Sequence, residues 1–472
     1  MHELYITGII IHKIIVILTI VHVLMGNRLP AKTMAWVLVI YFVPVAGILL
    51  YIFFGIDTRK ERLISARSLN QLGKRSMLNF VEQQALRLPE EHKQTIDLFI
   101  NQNLSLPFKD NETDIYTDGH GFFTALLAAI GRATHHIHID MYIFADDPLG
   151  CLVADALIDK ARQGVEVRLI YDDVGCWNVP QRFFERMREE GIEVHPFLPV
   201  RFPSFTSKAN YRNHRKIIVI DGVTGFTGGM NIALRYVKGM GKQKWRDTMV
   251  KISGNGVYAL QMVFLVDWYF VDRTLISNRK YYPPCTITND CLAQIVTSSP
   301  ASPYPEIMQG YLRVIMGARK YIYIETPYFI PTEPILFALK TAALGGIDVR
   351  LIVPMEADAK FVEWASRSYL REITKAGVKV YLYTAGFIHS KVLICDDSLS
   401  TCGSTNVDSR SFENNFEANA FFYDKATALQ FKSIFLSDQE SSVMFDKVAE
   451  RMSPGFFARL WESLTRLLSP LL

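Results

Sequence analysis

The sequence lacks the marks of several common protein classes. Its six cysteines (Cys151, Cys176, Cys285, Cys291, Cys395, Cys402) form no CxxC pair and no zinc-ligand spacing, which argues against a disulfide scaffold or a zinc module. Charge of one sign is scarce. Lys plus Arg (51) against Asp plus Glu (47) leaves +4, too small an excess to signal nucleic acid by itself. None of the acidic metal-binding loops is present. No basic stretch precedes the first apolar run and no small-residue cleavage site follows it, so a cleaved signal peptide is not expected. With 472 residues, 49% hydrophobic and 21% charged, the chain is neither disordered nor wholly membrane-embedded. It is too long for one domain of roughly 150 residues.

What is present begins with two apolar stretches. Leu4 to Met25 is almost wholly apolar, and Met34 to Ile56 carries no charge. About 20 apolar residues span the hydrocarbon core as a helix. The second stretch is expected to span cleanly, with Pro44 as a tolerated kink. The first carries Lys13 near its middle, which costs roughly 2.5–3.5 kcal/mol on insertion scales, so an interfacial or re-entrant placement stays open there. Arg28 and Lys32 lie in the connector; Arg59, Lys60, Arg62, Arg67, Lys74 and Arg75 follow the second stretch. The heavier positive side faces the cytoplasm, which expects a multi-pass protein of the bacterial inner membrane with its body on the cytoplasmic face. The basic stretch 59–75 would lie against an anionic lipid bilayer.

The remainder repeats itself. Ala133-Thr-His-His-Ile-His-Ile-Asp140 matches Ala318-Arg-Lys-Tyr-Ile-Tyr-Ile-Glu325, and Gly164-Val-Glu-Val-Arg-Leu-Ile-Tyr171 matches Gly346-Ile-Asp-Val-Arg-Leu-Ile-Val353. Each unit reads as a β-branched strand, a helical stretch and another strand, the pattern of a βαβ unit in a parallel sheet. The expected organisation is a membrane hairpin (1–57), a juxtamembrane amphipathic linker (58–110), a first half (111–285) and a second half (286–472). The second half ends in an amphipathic segment from Phe456, suited either to a membrane surface or to docking on the protein's own core.

Each half carries one polar cluster on an apolar strand. The first is His214-Arg-Lys216-Ile-Ile-Val-Ile-Asp221 with Gly228-Gly229-Met230-Asn231; the second is His389-Ser-Lys391-Val-Leu-Ile-Cys-Asp396 with Gly403-Ser404-Thr405-Asn406. The offset is 175 residues for the His, Lys, Asp and Asn pairs alike. On a strand, residues i and i+2 share a face, so His and Lys project together. The Gly-rich turn lets backbone and an Asn amide approach a ligand closely. A lone strand histidine is ordinarily a core residue; two matched clusters point to chemistry. Two imidazoles, two ammonium groups and two amides suit a phosphodiester. Lysine binds phosphate as a point charge, cations stabilise the charge that builds on phosphoryl oxygens, one neutral His can attack phosphorus, and the other can exchange a proton with leaving and entering oxygens.

Each imidazole also needs an orienting acceptor. Asp247 follows His214 by 33 residues and Glu417 follows His389 by 28, so Asp247 is expected to hold His214 and Glu417 to hold His389. By position, Asp221 and Asp396 suit bracing the strand ends and the lysines.

These motifs resemble the phospholipase D superfamily, whose mark is a duplicated His-x-Lys-x4-Asp with a trailing Gly-Gly/Ser-x-Asn. Within it the chain is similar to bacterial cardiolipin synthases, on the apolar hairpin with Arg28-Leu-Pro-Ala-Lys-Thr, on Thr326-Pro-Tyr-Phe-Ile-Pro331, on Asn210-Tyr-Arg-Asn-His214 and on Gly403-Ser-Thr-Asn-Val-Asp-Ser-Arg-Ser411. Gly229 departs from the pattern, since Ser is common there. The resemblance implies an α/β fold of two pseudo-symmetric α/β/α halves with parallel-rich sheets, preceded by a transmembrane helical hairpin. It implies His214, Lys216, Asp221, His389, Lys391 and Asp396 as catalytic residues, with Asn231, Asn406, Ser404, Asp247 and Glu417 binding or orienting. It also implies a phosphatidylglycerol substrate, no cofactor, no metal and no nucleic acid. His214 is the expected nucleophile and His389 the acid/base. A phospholipase D-type hydrolase or another phosphatidyltransferase stays open on the motifs alone, and so does the oligomeric state, a homo-oligomer included.

Overall fold

The computed structural model describes residues 2–26, 30–55, 88–103, 105–200, 210–241, 243–451 and 455–467. The basic stretch 59–75, singled out in the sequence, lies outside them.

The first apolar stretch forms one helix, α1 (His2–Met25), of which Tyr5–Met25 is long and apolar enough to cross a bilayer. The second behaves otherwise. It divides into α2 (Pro30–Phe42) and α3 (Pro44–Leu50), followed by a π-helical turn at Tyr51–Gly55. Val43 leaves the helical region (φ −131°, ψ 67°), and Pro44 has no N–H with which to continue the ladder. A Cβ on Gly47 would meet the backbone of Val39 and Ile40, so glycine lets α3 fold back on α2. The expected single kinked span is therefore two short helices. They pack on α1 through Val23, Ile40 and Tyr51.

The expected linker 58–110 contains ordered structure in its described part. α4 (Lys93–Asn103) places Ile96 and Phe99 in the core of the second half, and β1 (Pro107–Phe108) pairs with β9 there. The amphipathic pattern belongs to a helix with a protein partner.

The first half runs β2 (Asn111–Tyr116), α5 (Gly119–Arg132), β3 (His136–Met141), α6 (Pro148–Arg162), β4 (Glu166–Asp172), α7 (Gln181–Glu189), β5 (Glu193–Phe197), β6 (Lys216–Ile220), β7 (Thr224–Gly228), β8 (Met249–Gly254) and α8 (Gly256–Asp272). Asp118 and Asp147 cap α5 and α6 by accepting from backbone N–H groups of the first turn, worth about 1 kcal/mol each. The second half repeats the order: β9 (Ala293–Ser298), α9 (Glu306–Gly317), β10 (Tyr321–Glu325), α10 (Glu333–Leu344), β11 (Asp348–Pro354), α11 (Lys360–Lys375), β12 (Lys379–Tyr383), β13 (Val392–Cys395), β14 (Leu399–Gly403), β15 (Asn415–Phe422) and α12 (Lys425–Glu440). Then come β16 (Ser442–Met444), α13 (Phe445–Arg451) and α14 (Phe456–Leu467).

The two sheets have one topology. The strand order is β2-β8-β7-β6-β3-β4-β5 in the first and β9-β15-β14-β13-β10-β11-β12 in the second, with β1 and β16 added at the second sheet's edges. Within these two strand orders the parallel ladders are β3-β4-β5 and β10-β11-β12, the βαβ units the sequence announces, and the other ladders of the two orders are antiparallel; short two-residue parallel ladders lie outside them.

The unbroken apolar runs after each lysine have a simple cause: both faces of those strands are covered. In β6, Ile218 and Ile220 enter the first half's core, while Ile217 and Val219 enter a core between the sheets. In β13, Leu393 and Cys395 face the second half's core, and Val392 and Ile394 face the same central one. That shared layer presses the two halves together.

Candidate active site

Both histidines stand where β6 and β13 begin. These strands run antiparallel to β3 and β10, and Lys216 lies opposite Met141, the last residue of β3. The clusters therefore sit at the carboxyl ends of the parallel strands, where open α/β sheets bind ligands.

Each histidine is anchored by the other half. The two-residue strand Arg212–Asn213 pairs in parallel with Asn415 and Phe416, and the His214 N–H donates to the Phe416 carbonyl at 2.9 Å. The strand Phe387–Ile388 pairs likewise with Trp245–Arg246, and the His389 N–H donates to the Arg246 carbonyl at 2.6 Å. The next residue along each partner strand is the carboxylate. His214 Nδ1 lies 3.1 Å from both oxygens of Glu417, and His389 Nδ1 lies 2.6 Å from Asp247 Oδ2. The expected assignment is corrected here. Asp247 and Glu417 do orient the rings, but each serves the histidine of the opposite half. The cross-seam pairing of backbones delivers the carboxylate, so distance along the chain is no guide.

The supports of the two carboxylates differ. Glu417 accepts from the Ser404 hydroxyl and from Asn415 Nδ2 at 3.1 Å. Asp247 accepts from its neighbour's N–H, Thr248 N, at 2.7 Å, and a Cβ on Gly229 would fall on its carboxylate. The shorter aspartate thus fills the space that a serine at position 229 would need. Gly229 is a fitted partner of Asp247.

Lys216 and Lys391 are almost wholly buried. Each reaches back to the carbonyl of its own histidine, Lys216 Nζ at 2.6 Å from His214 O. Lys391 Nζ also lies 3.0 Å from His389 Nδ1. Burial pushes Lys216 down to about 7 against the pull of Glu417, and Lys391 to about 8 against the pull of Asp247. Burial lowers His214 as well, opposed by Glu417. It lowers His389 further, to about 3, with the Lys391 charge adding to it. Burial alone would raise Glu417 and Asp247; the cations and rings beside them hold both below their usual values. At neutral pH the resting site therefore holds two carboxylates and two neutral imidazoles. Each Nδ1–H faces a carboxylate, and each Nε2 is left for a reacting atom.

Asp221 and Asp396 brace the strand ends, as their position suggests, which departs from the catalytic role that the resemblance implies for them. They lie five residues beyond the lysines, at about 3.3 Å per residue of strand. Asp221 accepts from the N–H groups of Thr134, His135 and His136 at 2.8–2.9 Å, and Asp396 from those of Arg319, Lys320 and Tyr321 at 2.7–2.9 Å. Both tie the far end of the motif strand to the start of its neighbour. Asn231 is also committed within the protein. Its Nδ2 donates to the Tyr236 hydroxyl at 2.7 Å and its Oδ1 accepts from Ile143 N at 3.1 Å, so it positions a loop. Asn406 donates to Asp408 and leaves Oδ1 without a protein partner.

Sequence reasoning missed the aromatic frame. Tyr142 stands 4.9 Å from the His214 ring. Trp245, Phe387, Tyr236 and Tyr328 stand 5.4–6.5 Å from His389. Trp245 and Phe387 lie within two residues of Asp247 and His389, a proximity visible in the sequence.

Comparison with known proteins agrees with this architecture. A family described as "Cardiolipin synthase, PLD-like domain" matches residues 126–267 and 311–439, one stretch in each half. One described as "Phospholipase D-nuclease N-terminal" matches residues 14–55. The major cardiolipin synthase ClsA of Bacillus subtilis (strain 168) is 38% identical over 469 residues, covering 97% of this chain and 97% of its own. Cardiolipin synthase 2 of Bacillus anthracis is 40% identical over 464 residues, covering 95% of this chain and 88% of its own. The crystal structure of phosphatidylserine synthase from Haemophilus influenzae Rd KW20 superposes with a TM-score of 0.62 at 16% identity, covering 81% of this chain and 100% of that one, a likeness of fold. With both halves matched and near full-length relatives at this identity, the chain belongs to the PLD-like cardiolipin synthase family.

Proposed function

We propose that the protein is a cardiolipin synthase that converts two phosphatidylglycerols into cardiolipin and glycerol. The reading rests on one observation above others. Two neutral imidazoles, each oriented by a buried carboxylate from the opposite half, lie beside two buried lysines. That set serves an anionic diester and needs no nucleotide energy, because one diester is exchanged for another.

His214 Nε2 attacks the phosphorus of the first lipid. The bond to the terminal glycerol breaks, and His389, which takes up a proton on Nε2 from solvent as the anionic diester binds, gives that proton to the departing oxygen. The terminal hydroxyl of the second lipid returns a proton to His389 and attacks the phosphatidyl-histidine, which frees His214. The assignment follows from charge. Attack makes the imidazole cationic, and Glu417 faces that charge at His214. At His389 the Lys391 ammonium 3.0 Å from Nδ1 opposes a cation and favours release of the proton. Lys216 and Lys391 hold the phosphoryl oxygens. Trp245, Phe387, Tyr236 and Tyr328, around His389, keep water from the side on which the second lipid attacks.

The apolar N-terminus holds the protein to the bacterial cytoplasmic membrane, and the excess of Lys and Arg in 59–75 places the catalytic body on its cytoplasmic side. Product analysis tests the function. Full-length protein in phosphatidylglycerol vesicles is expected to yield cardiolipin and glycerol; phosphatidic acid as the main product would make it a hydrolase.

A further inference from the structure

In its described side chains, helix α14 faces the opposite way from an ordinary surface helix. A surface helix ordinarily turns its apolar stripe to the protein and its charges outward. In α14, Glu462 and Thr465 are buried against α11, while Leu460 and Trp461 are 46% and 49% exposed. The docking is ionic. Arg371 of α11 pairs with Glu462, and Arg466 Nη2 donates to Glu372 at 2.7 Å while its guanidinium stacks 4.2 Å from the Tyr369 ring. Trp461 makes an edge contact with Trp364 of α11, ring centres 5.9 Å apart.

Beneath α14 lies a cavity of about 80 Å³ with an apolar floor that includes Val353, Val362, Leu370, Leu382 and Phe445. Pro327 lines it, and the next residue, Tyr328, stands 6.5 Å from the His389 ring. Glu462, on the inner face of α14, lines this cavity, and Pro327 in its wall precedes Tyr328 in the chain.

Resting on the reading of the protein as a membrane-bound lipid enzyme, we infer that α14 is a bilayer-surface helix. It lays Leu460 and Trp461 into the headgroup region of an anionic membrane and holds the mouth of the cavity beside Tyr328 at the lipid. Three observations favour a bilayer as the cover. The chain carries its own membrane-length helix in α1, so a bilayer is within reach. α11 and α14 together carry six Lys and Arg against three Glu, a net +3 that complements anionic headgroups. Tryptophan prefers the membrane–water boundary to water.

The test uses the full-length protein in phosphatidylglycerol vesicles. Brominated phosphatidylglycerol is expected to quench wild-type fluorescence more than that of Trp461→Phe. Replacing both outer residues (Leu460→Glu with Trp461→Glu) is expected to slow cardiolipin formation in vesicles about 10-fold, while turnover of a soluble short-chain phosphatidylglycerol stays within about 2-fold. Equal losses on both substrates, no loss on either, or identical quenching of wild type and Trp461→Phe would overturn the inference. So would a dimer that dissociates in the double variant without any change in quenching, since a second copy of the chain would then cover the face. If the wild type made no cardiolipin from either substrate, the proposed reaction would fail, and the quenching comparison would still decide where α14 lies.

Discussion

The two histidine sites are built to one plan from different parts. At His214 the plan uses a long carboxylate, Glu417, held by the Ser404 hydroxyl and the Asn415 amide, with Tyr142 as the near aromatic. At His389 it uses a short one, Asp247, seated where Gly229 leaves room, with Lys391 against the ring nitrogen and four aromatic rings around it. The difference shows how a duplicated fold can divide labour. The shared topology fixes where both rings stand, and in the proposed mechanism the partners decide which ring tolerates a positive charge and which gives up a proton.

The largest effect should come from removing either ring. His214→Ala and His389→Ala are each expected to cut cardiolipin formation by about 10³-fold or more, with the circular dichroism spectrum unchanged. Only His214 should carry a phosphatidyl adduct when the reaction is quenched with denaturant at alkaline pH, where the N–P bond survives, and its peptides are read by mass spectrometry. An adduct on His389 would invert the proposed roles.

Removing a carboxylate comes next. Glu417→Gln and Asp247→Asn keep the shape and lose the charge that orients the ring and supports its cation, and each should lower kcat by about 10²–10⁴-fold. The penalty should be the larger at Glu417, whose ring becomes cationic in the covalent step.

The glycine–serine difference should give smaller effects. Gly229→Ala forces a Cβ onto Asp247 and displaces it from His389, so a loss of about 10-fold or more in kcat is expected. Ser404→Ala removes one of the donors to Glu417 and should cost about 3–10-fold. A harmless Gly229→Ala would mean that Asp247 is free to move.

The smallest and most gradual effect is that of pH. The folded-state values of the two lysines lie below the ordinary 10.5, at about 7 and about 8. Both are charged below those values and lose their protons as pH rises through them, so kcat/KM should decline from pH 7 to pH 9. A profile that stays flat to pH 10 would show that the lysine charges do not hold the phosphate.

Much of this was legible in the sequence. The constant 175-residue offset announced the duplication, and strand alternation placed His214 with Lys216 and His389 with Lys391. The exchange of carboxylates was not legible, because Asp247 and Glu417 each follow the histidine of their own half and proximity along the chain favoured the wrong ring. The structure shows the reason: each carboxylate directly follows a residue pair, Trp245–Arg246 or Asn415–Phe416 at the start of β15, that pairs across the seam. The bracing role of the motif aspartates was legible from their position at the strand ends. Asp221 and Asp396 have left-handed φ angles of 54° and 53° and close turns, so their place in the motif reflects the end of the strand and not the site. The second apolar stretch reads by hydropathy as one span, yet Pro44 and Gly47 together allow a reversal that hydropathy does not register.

Carbethoxylation of the two rings, followed by peptide mass spectrometry, tests the crosswise construction most directly, since the reagent reports how nucleophilic each imidazole is. Glu417→Gln should slow labelling of His214 and spare His389, and Asp247→Asn should do the reverse. If Asp247→Asn instead slowed His214 and left His389 untouched, each half would be serving its own histidine, and the exchange of carboxylates across the seam would be wrong.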